Sequence, residues 1–213
     1  LTVLLPPRVA RSTPPPSPTN PASISAASAD WWSQVSAILT SGWTGEANQT
    51  AAGFGGSVCT AGDVNGDGFS DLIVGAERFD NGQADEGRAF VFHGSPDGLA
   101  TFPAWTSESN QATAAWGRVV APAGDVNGDG YDDVIVGAPL YDNGETNEGR
   151  AAVFLGSPAG LAASPAWTAE SNQAGAGFGG AVATAGDVNG DGYADVLVGA
   201  PLWDIMPVHG QED

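Results

Sequence analysis

A unit of 62 residues occurs three times in this chain of 213 residues, and the three copies align without an insertion. The copies open with a Trp-Thr pair at Trp43, Trp105 and Trp167, and each contains the same Gly-rich acidic loop. Self-similarity at a fixed period indicates a repeat architecture, in which each unit buries apolar surface against its neighbours. The chain is therefore predicted to fold as tandem copies of one supersecondary unit.

Each copy contains short runs rich in Val, Ile and Ala, bounded by turn residues such as Asn81-Gly82. In the first copy these runs predict strands over residues 56–61, 71–76, 87–93 and about 101–105. No segment of the repeat places apolar residues at helical spacing over a useful length. We therefore predict an all-β fold, a partial β-propeller of three tandem four-stranded blades.

The residues before the repeats differ in composition. Residues 1–29 are rich in proline, including Pro14-Pro15-Pro16, and are predicted to be a disordered linker. Residues 30–42 are predicted to contain a short helix, capped by Asp30, and its connection to the repeats. The third copy diverges from the others after residue 204 and is expected to be a truncated blade. The three blades are predicted over residues 43–104, 105–166 and 167–213.

The acidic loop has the pattern Asp-x-Asn-Gly-Asp-Gly-x-x-Asp in all three copies. Side-chain oxygens recur at alternate positions, and Gly66 and Gly68 in the first copy allow the chain to curl at positive φ. Ca²⁺ takes roughly six to eight oxygen ligands, and crowded carboxylates repel one another unless a cation lies among them. The first loop is therefore predicted to bind Ca²⁺ through Asp63, Asn65, Asp67, the carbonyl oxygen of Phe69, and Asp71.

Two other calcium-binding loops, those of the EF-hand and of the dockerin module, begin in nearly the same way. Both need an acidic ligand at position 12 of the loop and a helix after it. Position 12 is Val74, Val136 or Val198 in the three copies, within a run typical of a strand. The loop is therefore predicted to lie in a β-hairpin, and a dockerin-like calcium-dependent docking module is kept as a second alternative.

Two short motifs flank the loop. An aromatic-Gly pair precedes it, as in Phe178-Gly179, and Gly199-Ala200-Pro201 follows it, although the first copy has Glu77 in place of the proline. With these motifs the chain resembles the FG-GAP repeat of integrin alpha-subunit propellers and their bacterial secreted relatives. The resemblance implies a propeller with Ca²⁺ in hairpin loops on one rim and a role in adhesion or recognition. We expect a truncated bacterial member that is secreted or displayed on the cell surface.

The resemblance also extends the metal sites to the other two copies, so that about one Ca²⁺ is expected per blade, three in all. All the expected ligands of a site belong to one loop, and no base or nucleophile recurs beside them, so the metal is expected to be structural. The second site is implied to comprise Asp125, Asn127, Asp129, the carbonyl oxygen of Tyr131, and Asp133. The third is implied to comprise Asp187, Asn189, Asp191, the carbonyl oxygen of Tyr193, and Asp195.

The charge balance excludes several functions. The chain has 25 Asp and Glu residues against six Arg and no Lys, which gives a formal net charge of −19. Such a chain does not neutralise phosphates, so no nucleic-acid partner is expected. No apolar run approaches the roughly 18 residues of a membrane span. No Ser-His-Asp set or phosphate-binding loop is found, so the chain is not expected to be an enzyme.

Our first hypothesis is a non-enzymatic, calcium-binding propeller segment for extracellular recognition or adhesion, with a protein or glycan as its ligand. Open blade edges would also expose the chain to self-association. Extracellular modules bind Ca²⁺ at roughly 10⁻⁴–10⁻³ M, which favours a secreted or cell-surface location. The alternative is an accessory propeller region of a secreted hydrolase.

Overall fold

The computed structural model describes residues 2–4 and 42–204. The chain divides after Gly45 into two compact units. In the first unit, strand β1 (Thr2–Leu4) pairs antiparallel with strand β2 (Gly42–Thr44). The helix predicted within residues 30–42, most of the predicted linker and the divergent tail after residue 204 lie outside the described residues.

The second unit consists of antiparallel sheets whose strands follow one another in chain order. This arrangement confirms the all-β prediction, and the tandem four-stranded sheets are consistent with blades of a partial β-propeller. The first sheet contains β3 (Phe54–Gly62), β4 (Asp71–Ala76), β5 (Arg88–Phe92) and β6 (Trp105–Glu108). The second contains β7 (Val119–Gly124), β8 (Asp133–Ala138), β9 (Arg150–Phe154) and β10 (Trp167–Glu170). The third pairs β11 (Ala181–Gly186) with β12 (Asp195–Gly199).

The described residues include no α-helix. In this part of the chain there is accordingly no helix with the length and apolar character that a membrane crossing requires.

The fourth strand of the sheet differs from its prediction. It was predicted over about residues 101–105, but β6 begins at Trp105 and ends at Glu108. The prediction was wrong because it depended on apolar runs, whereas Thr106-Ser107-Glu108 is polar. A strand at the outer edge of a sheet meets solvent on one side and tolerates such residues. The first and second sheets therefore end with the residues that open the next copy of the repeat.

Consecutive sheets of the second unit pack face to face. Ile73 of the first sheet and Val136 of the second belong to one buried cluster. Ile135, the neighbour of Val136 on strand β8, points to the other face and packs with Val198 of the third sheet. Successive side chains of a strand point to opposite faces, so a strand between two sheets is buried on both faces. All six residues of β8 are accordingly buried.

The tryptophan at the start of a repeat copy joins two sheets. The ring of Trp105, on β6, meets the ring of Phe154 edge-on, with 4.8 Å between the ring centroids. Its indole nitrogen donates a hydrogen bond of 2.9 Å to the carbonyl oxygen of Ala162. Trp105 is thus a packing residue with its polar atom satisfied, which is the usual state of a buried tryptophan.

The glycines of the two flanking motifs meet at each junction between sheets. A Cβ atom at Gly75 would lie 1.8 Å from the carbonyl oxygen of Gly117, and one at Gly137 would lie 2.1 Å from that of Gly179. No side chain fits at such a separation, so the strand of one sheet and the loop entering the next can approach this closely only at glycine. The aromatic-Gly pair and the Gly-Ala pair are therefore two sides of one contact.

Two arginines form ion pairs inside their own sheets. The Arg88 guanidinium contacts the Glu108 carboxylate on the neighbouring strand, and Arg150 Nε lies 3.2 Å from Glu170 Oε1. Arg150 also lies over the ring of Tyr141, 4.8 Å from its centroid. These arginines stabilise the sheets and carry little unpaired charge.

The thiol of Cys59 is expected to react slowly in the folded protein. Cys59 is half-buried on β3, and its Sγ donates to the carbonyl oxygen of Val120 at 3.3 Å, across the junction of the first two sheets. Burial raises the pKa of Cys59 to about 11. Since only the thiolate reacts, alkylation at pH 8 should be about a hundredfold slower than for a free thiol, and should speed up as the pH rises towards 11. Stopped-flow labelling checks this, with the guanidinium-unfolded chain as the fast control; equal rates would contradict the packing of these sheets.

Candidate metal centres

Each acidic loop connects the first two strands of its sheet. Residues 63–70 join β3 to β4, residues 125–132 join β7 to β8, and residues 187–194 join β11 to β12. The paired strands are antiparallel, so each loop is the turn of a β-hairpin. The predicted hairpin context is confirmed for all three loops.

The first aspartate of each loop organises the curl of the chain. The carboxylate of Asp63 accepts hydrogen bonds from three consecutive main-chain N–H groups, those of Gly66 at 2.8 Å, Asp67 at 3.0 Å and Gly68 at 2.7 Å. The third loop has the same bonds, and they lower the pKa of Asp187. The first aspartate therefore keeps each loop closed around its carboxylate.

The side chains at positions 1, 3 and 5 of the loop lie together. The N–H of Asp67 is shared between Asp63 Oδ1 and Asn65 Oδ1, each at 3.0 Å, which places these two oxygens side by side. Asn65 Nδ2 donates to Asp67 Oδ2 at 2.9 Å. The same bonds recur in the second and third loops. The structure thus brings together three of the five predicted ligands of each site.

Position 7 was predicted to provide a carbonyl oxygen. The structure shows its N–H group bonded within the loop, from Phe69 to Asp67 Oδ1 at 2.9 Å. Tyr131 and Tyr193 donate in the same way to Asp129 and Asp191, at 3.0 Å each. These bonds continue the curl of the chain beyond position 5.

The last aspartate of each loop is tied to the main chain. Asp71 is buried, and its two oxygens accept the N–H groups of Val64 at 3.0 Å and Gly94 at 2.8 Å. Asp133 makes the same two bonds in the second sheet. Asp195 accepts the N–H of Val188 at 2.9 Å. This residue therefore braces the loop against its own sheet and is held apart from positions 1, 3 and 5.

Burial makes the charge of this last aspartate costly. It raises the pKa of Asp133 to about 6, and the negative charges of Asp129 and Asp125 act in the same direction, against the hydrogen bonds from main-chain N–H groups. The pKa of Asp71 is likewise raised by burial. A positive ion placed among these carboxylates would favour their ionised forms.

Among the described residues, no group of three or more Asp, Glu, His or Cys side chains is gathered in an arrangement that holds a metal ion. Each loop gathers two carboxylates and one amide, and the third carboxylate is turned to the main chain. The donor chemistry nevertheless fits Ca²⁺, because all the donors are oxygens and a hydrogen-bonded carboxylate keeps further lone pairs. The complete ligand sets stay a prediction.

Neighbouring loops also contact one another. Asp132 Oδ2, in the second loop, accepts the N–H of Asp63 in the first at 2.8 Å. The ring of Tyr131 packs on Gly66, where a Cβ would lie 2.5 Å from ring atom Cε1. Asp132 was not predicted as a site residue, because position 8 carries no acid in the other two copies. The loops thus form a connected row along one end of the sheets.

Two buried glutamates were also missed. Glu86 and Glu148 have no solvent-exposed surface, and their Oε1 atoms accept the N–H groups of Asn81 at 2.6 Å and Asn143 at 2.5 Å. Burial raises the pKa of Glu86. The recurrence of Glu-Gly-Arg in two copies is the sequence signal that could have indicated them. These glutamates brace the loop that follows β4 or β8.

The tandem sheets and their oxygen-rich hairpin loops define a class of blade-forming repeat. The FG-GAP repeat matches three segments of the chain, residues 54–92, 116–154 and 178–213. The chain belongs to the FG-GAP repeat family. The matched segments begin at the aromatic-Gly pair and span the hairpin with its acidic loop, so they coincide with the elements described above.

The chain is similar to integrin alpha subunits. It is 39% identical over 160 residues to integrin alpha-IIb of Mus musculus and 38% identical over 160 residues to that of Homo sapiens. It is also 36% identical over 155 residues to integrin alpha-4 of Xenopus laevis. Each match covers 71% of this chain, but only 15%, 15% and 14% of the respective relative. The chain therefore corresponds to a small part of these proteins.

Proposed function

We propose that the second unit is a non-enzymatic, calcium-binding propeller segment that serves recognition or adhesion outside the cell. The supporting observation is the construction of the acidic loops, which is the same in all three copies. In each, main-chain hydrogen bonds hold oxygen donors together at the end of a sheet. A motif that recurs in every copy indicates a structural role in every blade. A catalytic centre, in contrast, is needed only once in a protein.

The proposed ligand sets are those of the sequence analysis, with one Ca²⁺ per loop. Asp63, Asn65 and Asp67 would bind through oxygens that already lie together, and Asp71 would contribute the charge that burial disfavours. A bound Ca²⁺ would supply two positive charges among these carboxylates. The protein's own contribution is to position the donors, since the hydrogen bonds to Asp63 and Asp71 fix both ends of the loop.

The proposed partner is another macromolecule, and the proposed location is secreted or cell-surface. Similarity to integrin alpha subunits supports a protein partner more than a glycan. Sites of extracellular type fill at roughly 10⁻⁴–10⁻³ M Ca²⁺, a concentration that the cytosol does not reach. The same rigid sheets that carry the loops would then present the opposite ends of the strands to the partner.

Isothermal titration of the full chain with CaCl₂ tests this proposal. We expect about three Ca²⁺ per chain, and about one fewer in Asp129→Asn, because asparagine keeps the Oδ1 acceptor for Tyr131 N–H but removes the charge. Asp97→Asn, at an exposed turn outside the loops, is the matched control and should bind as the wild type does. A wild-type chain that takes up no calcium at millimolar concentration would refute the proposal.

A further inference from the structure

The third sheet has half the strands of the other two. Within the part of the chain that the structure describes, it consists of β11 and β12, whereas the first and second sheets have four strands each. In those complete sheets the counterpart of β12 is paired on both edges, since β4 lies between β3 and β5 and β8 lies between β7 and β9. The sequence after residue 204 does not repeat the Arg-Ala-x-Val-Phe of β5 and β9. Among the described residues, one edge of β12 therefore lacks the third strand of a blade.

The first unit contains two strands in the register of the missing half. Strand β2 carries the Trp-Thr pair that also begins β6 and β10, the fourth strands of the complete sheets. Each of these tryptophans lies opposite a valine on an antiparallel neighbour, as the pairs Val91–Trp105, Val153–Trp167 and Val3–Trp43 show. Strands β1 and β2 therefore correspond to the third and fourth strands of a blade.

The free edges of β1 and β12 match each other. In the complete sheets, the valine that faces the tryptophan also faces an isoleucine of the second strand, in the pairs Val91–Ile73 and Val153–Ile135. Leu197 of β12 occupies the position of this isoleucine. Among the described strands, β1 pairs only with β2. The register of the repeat therefore places Val3 opposite Leu197 in a composite blade with the strand order β11, β12, β1, β2.

The number of blades decides whether one chain or two form this composite blade. Within one copy, pairing β1 with β12 would close a ring of three blades, whereas propellers have roughly four to eight. Two copies that each give β1 and β2 to the other have four complete sheets and two composite ones, which makes a ring of six. Such a reciprocal exchange has two-fold symmetry and leaves neither β1 nor β12 with an open edge.

We propose that two copies of this chain form a closed ring of six blades by exchanging β1 and β2. Main-chain hydrogen bonds from β1 of one copy complete the edge of β12 in the other. Leu197, which is 59% exposed in a single copy, then packs on the next sheet of the ring, as the fully buried Ile73 and Ile135 pack on theirs. A strand from a different protein would make the same main-chain bonds, but the register that β1 shares with β5 and β9 favours a second copy. This assembly does not depend on the proposed recognition function.

Light scattering on the full chain over a dilution series, in calcium, tests the proposal. At physiological salt a Debye length of about 8 Å screens the repulsion between two acidic chains. We expect twice the mass of one chain, falling to the mass of one chain at high dilution. A monomer at all concentrations, or an assembly larger than two chains, would overturn the proposal.

Gly199→Ala should separate the two copies. The corresponding Gly75 and Gly137 lie against the main chain of Gly117 and Gly179 in the next sheet, where no Cβ fits. In the ring the counterpart of that neighbour is Gly55 of the other copy. Since each dimer contains this contact twice, the substitution should raise the dissociation constant about a hundredfold or more. In the dissociated chain it should change the stability little, because only atoms of Ala181 lie near.

A second pair of variants tests the buried face. Leu197→Glu should also raise the dissociation constant about a hundredfold or more, because it places a charge on the face that the other copy covers. Phe102→Glu is its matched control, since it changes the net charge equally at a residue that is 79% exposed and whose counterpart Ser164 is exposed as well. It should dimerise as the wild type does. Unchanged dimerisation by both Gly199→Ala and Leu197→Glu would show that the copies meet elsewhere.

Single cysteines test the register of the exchange. Cys59 is first replaced by the alanine found at its position in the other two copies. Co-expressed chains carrying Val3→Cys and Leu197→Cys should then form a disulfide between the two different chains on oxidation, as mass spectrometry detects. Thr2→Cys in place of Val3→Cys should give little of this product, because a shift by one residue points the side chain to the opposite face. Equal cross-linking by Thr2→Cys, or a disulfide within one chain when both cysteines are on it, would overturn the proposal.

Discussion

Calcium at about one hundred times its dissociation constant should raise the free energy of unfolding by about 2.7 kcal/mol for each occupied loop. For a domain of this size, 1 kcal/mol corresponds to about 2–4 °C in melting temperature, so one occupied loop should add roughly 5–10 °C and three should add more. The physical reason is that the folded loops hold carboxylates together, and only the folded state offers the ion a site. Differential scanning calorimetry in calcium and in chelator measures the shift.

A triple variant provides the matched control for this prediction. Replacing Asp67, Asp129 and Asp191 by asparagine keeps the oxygen that accepts the main-chain N–H in each loop but removes three negative charges. The calcium-induced shift should then largely disappear. In chelator, the variant should melt close to the wild-type temperature, because the reduced repulsion within the loops offsets the loss of the Oδ2 atoms that accept from Asn65, Asn127 and Asn189. An identical calcium shift in both proteins would show that the ion acts elsewhere.

Gly75→Ala should destabilise the protein strongly. The added Cβ would lie 1.8 Å from the carbonyl oxygen of Gly117, and this neighbour is main chain, which cannot rotate away. Excess atoms in a packed interior typically cost about 1–3 kcal/mol, and a clash with main chain belongs at the upper end of that range or beyond it. Urea unfolding at fixed calcium concentration measures the loss.

Gly199→Ala is the corresponding substitution in the third sheet and serves as its control. There the added Cβ would meet only atoms of Ala181, of which the nearest is its Cβ at 3.2 Å, because no described sheet packs on that face. The substitution should therefore cost little. Equal losses for Gly75→Ala and Gly199→Ala would mean that the glycines serve strand geometry and that the close contact between sheets is not what requires them.

Most of the strand pattern follows from the repeated sequence, because strands buried on both faces are apolar over most of their length. Asp71–Ala76 illustrates this, since its predicted and observed bounds agree. The outer strand Trp105–Glu108 could not be bounded in this way, because its polar residues give no apolar run. The acidic loops were placed correctly in hairpins, since the β-branched residues after them exclude a helix. Their internal arrangement was not foreseen, because Asp71 binds main-chain groups that adjoin it only in the folded sheet.

The sequence by itself determined the unit of the fold, its strand order and its oxygen-rich turns, because these depend on local patterns that recur in every copy. The tertiary structure decided how deeply equivalent residues of the three copies are buried. Ile73 and Ile135 are fully buried, whereas Leu197 at the same position of the third copy is 59% exposed, since burial depends on whether another sheet packs against that face. For the same reason, the sequence did not show that Glu77, Arg78 and Arg118 lie together, because they meet where two sheets pack against each other. Segments of nearly identical sequence therefore differ in their exposure to solvent, because they differ in the sheets that pack against them. A local sequence pattern does not specify those neighbours.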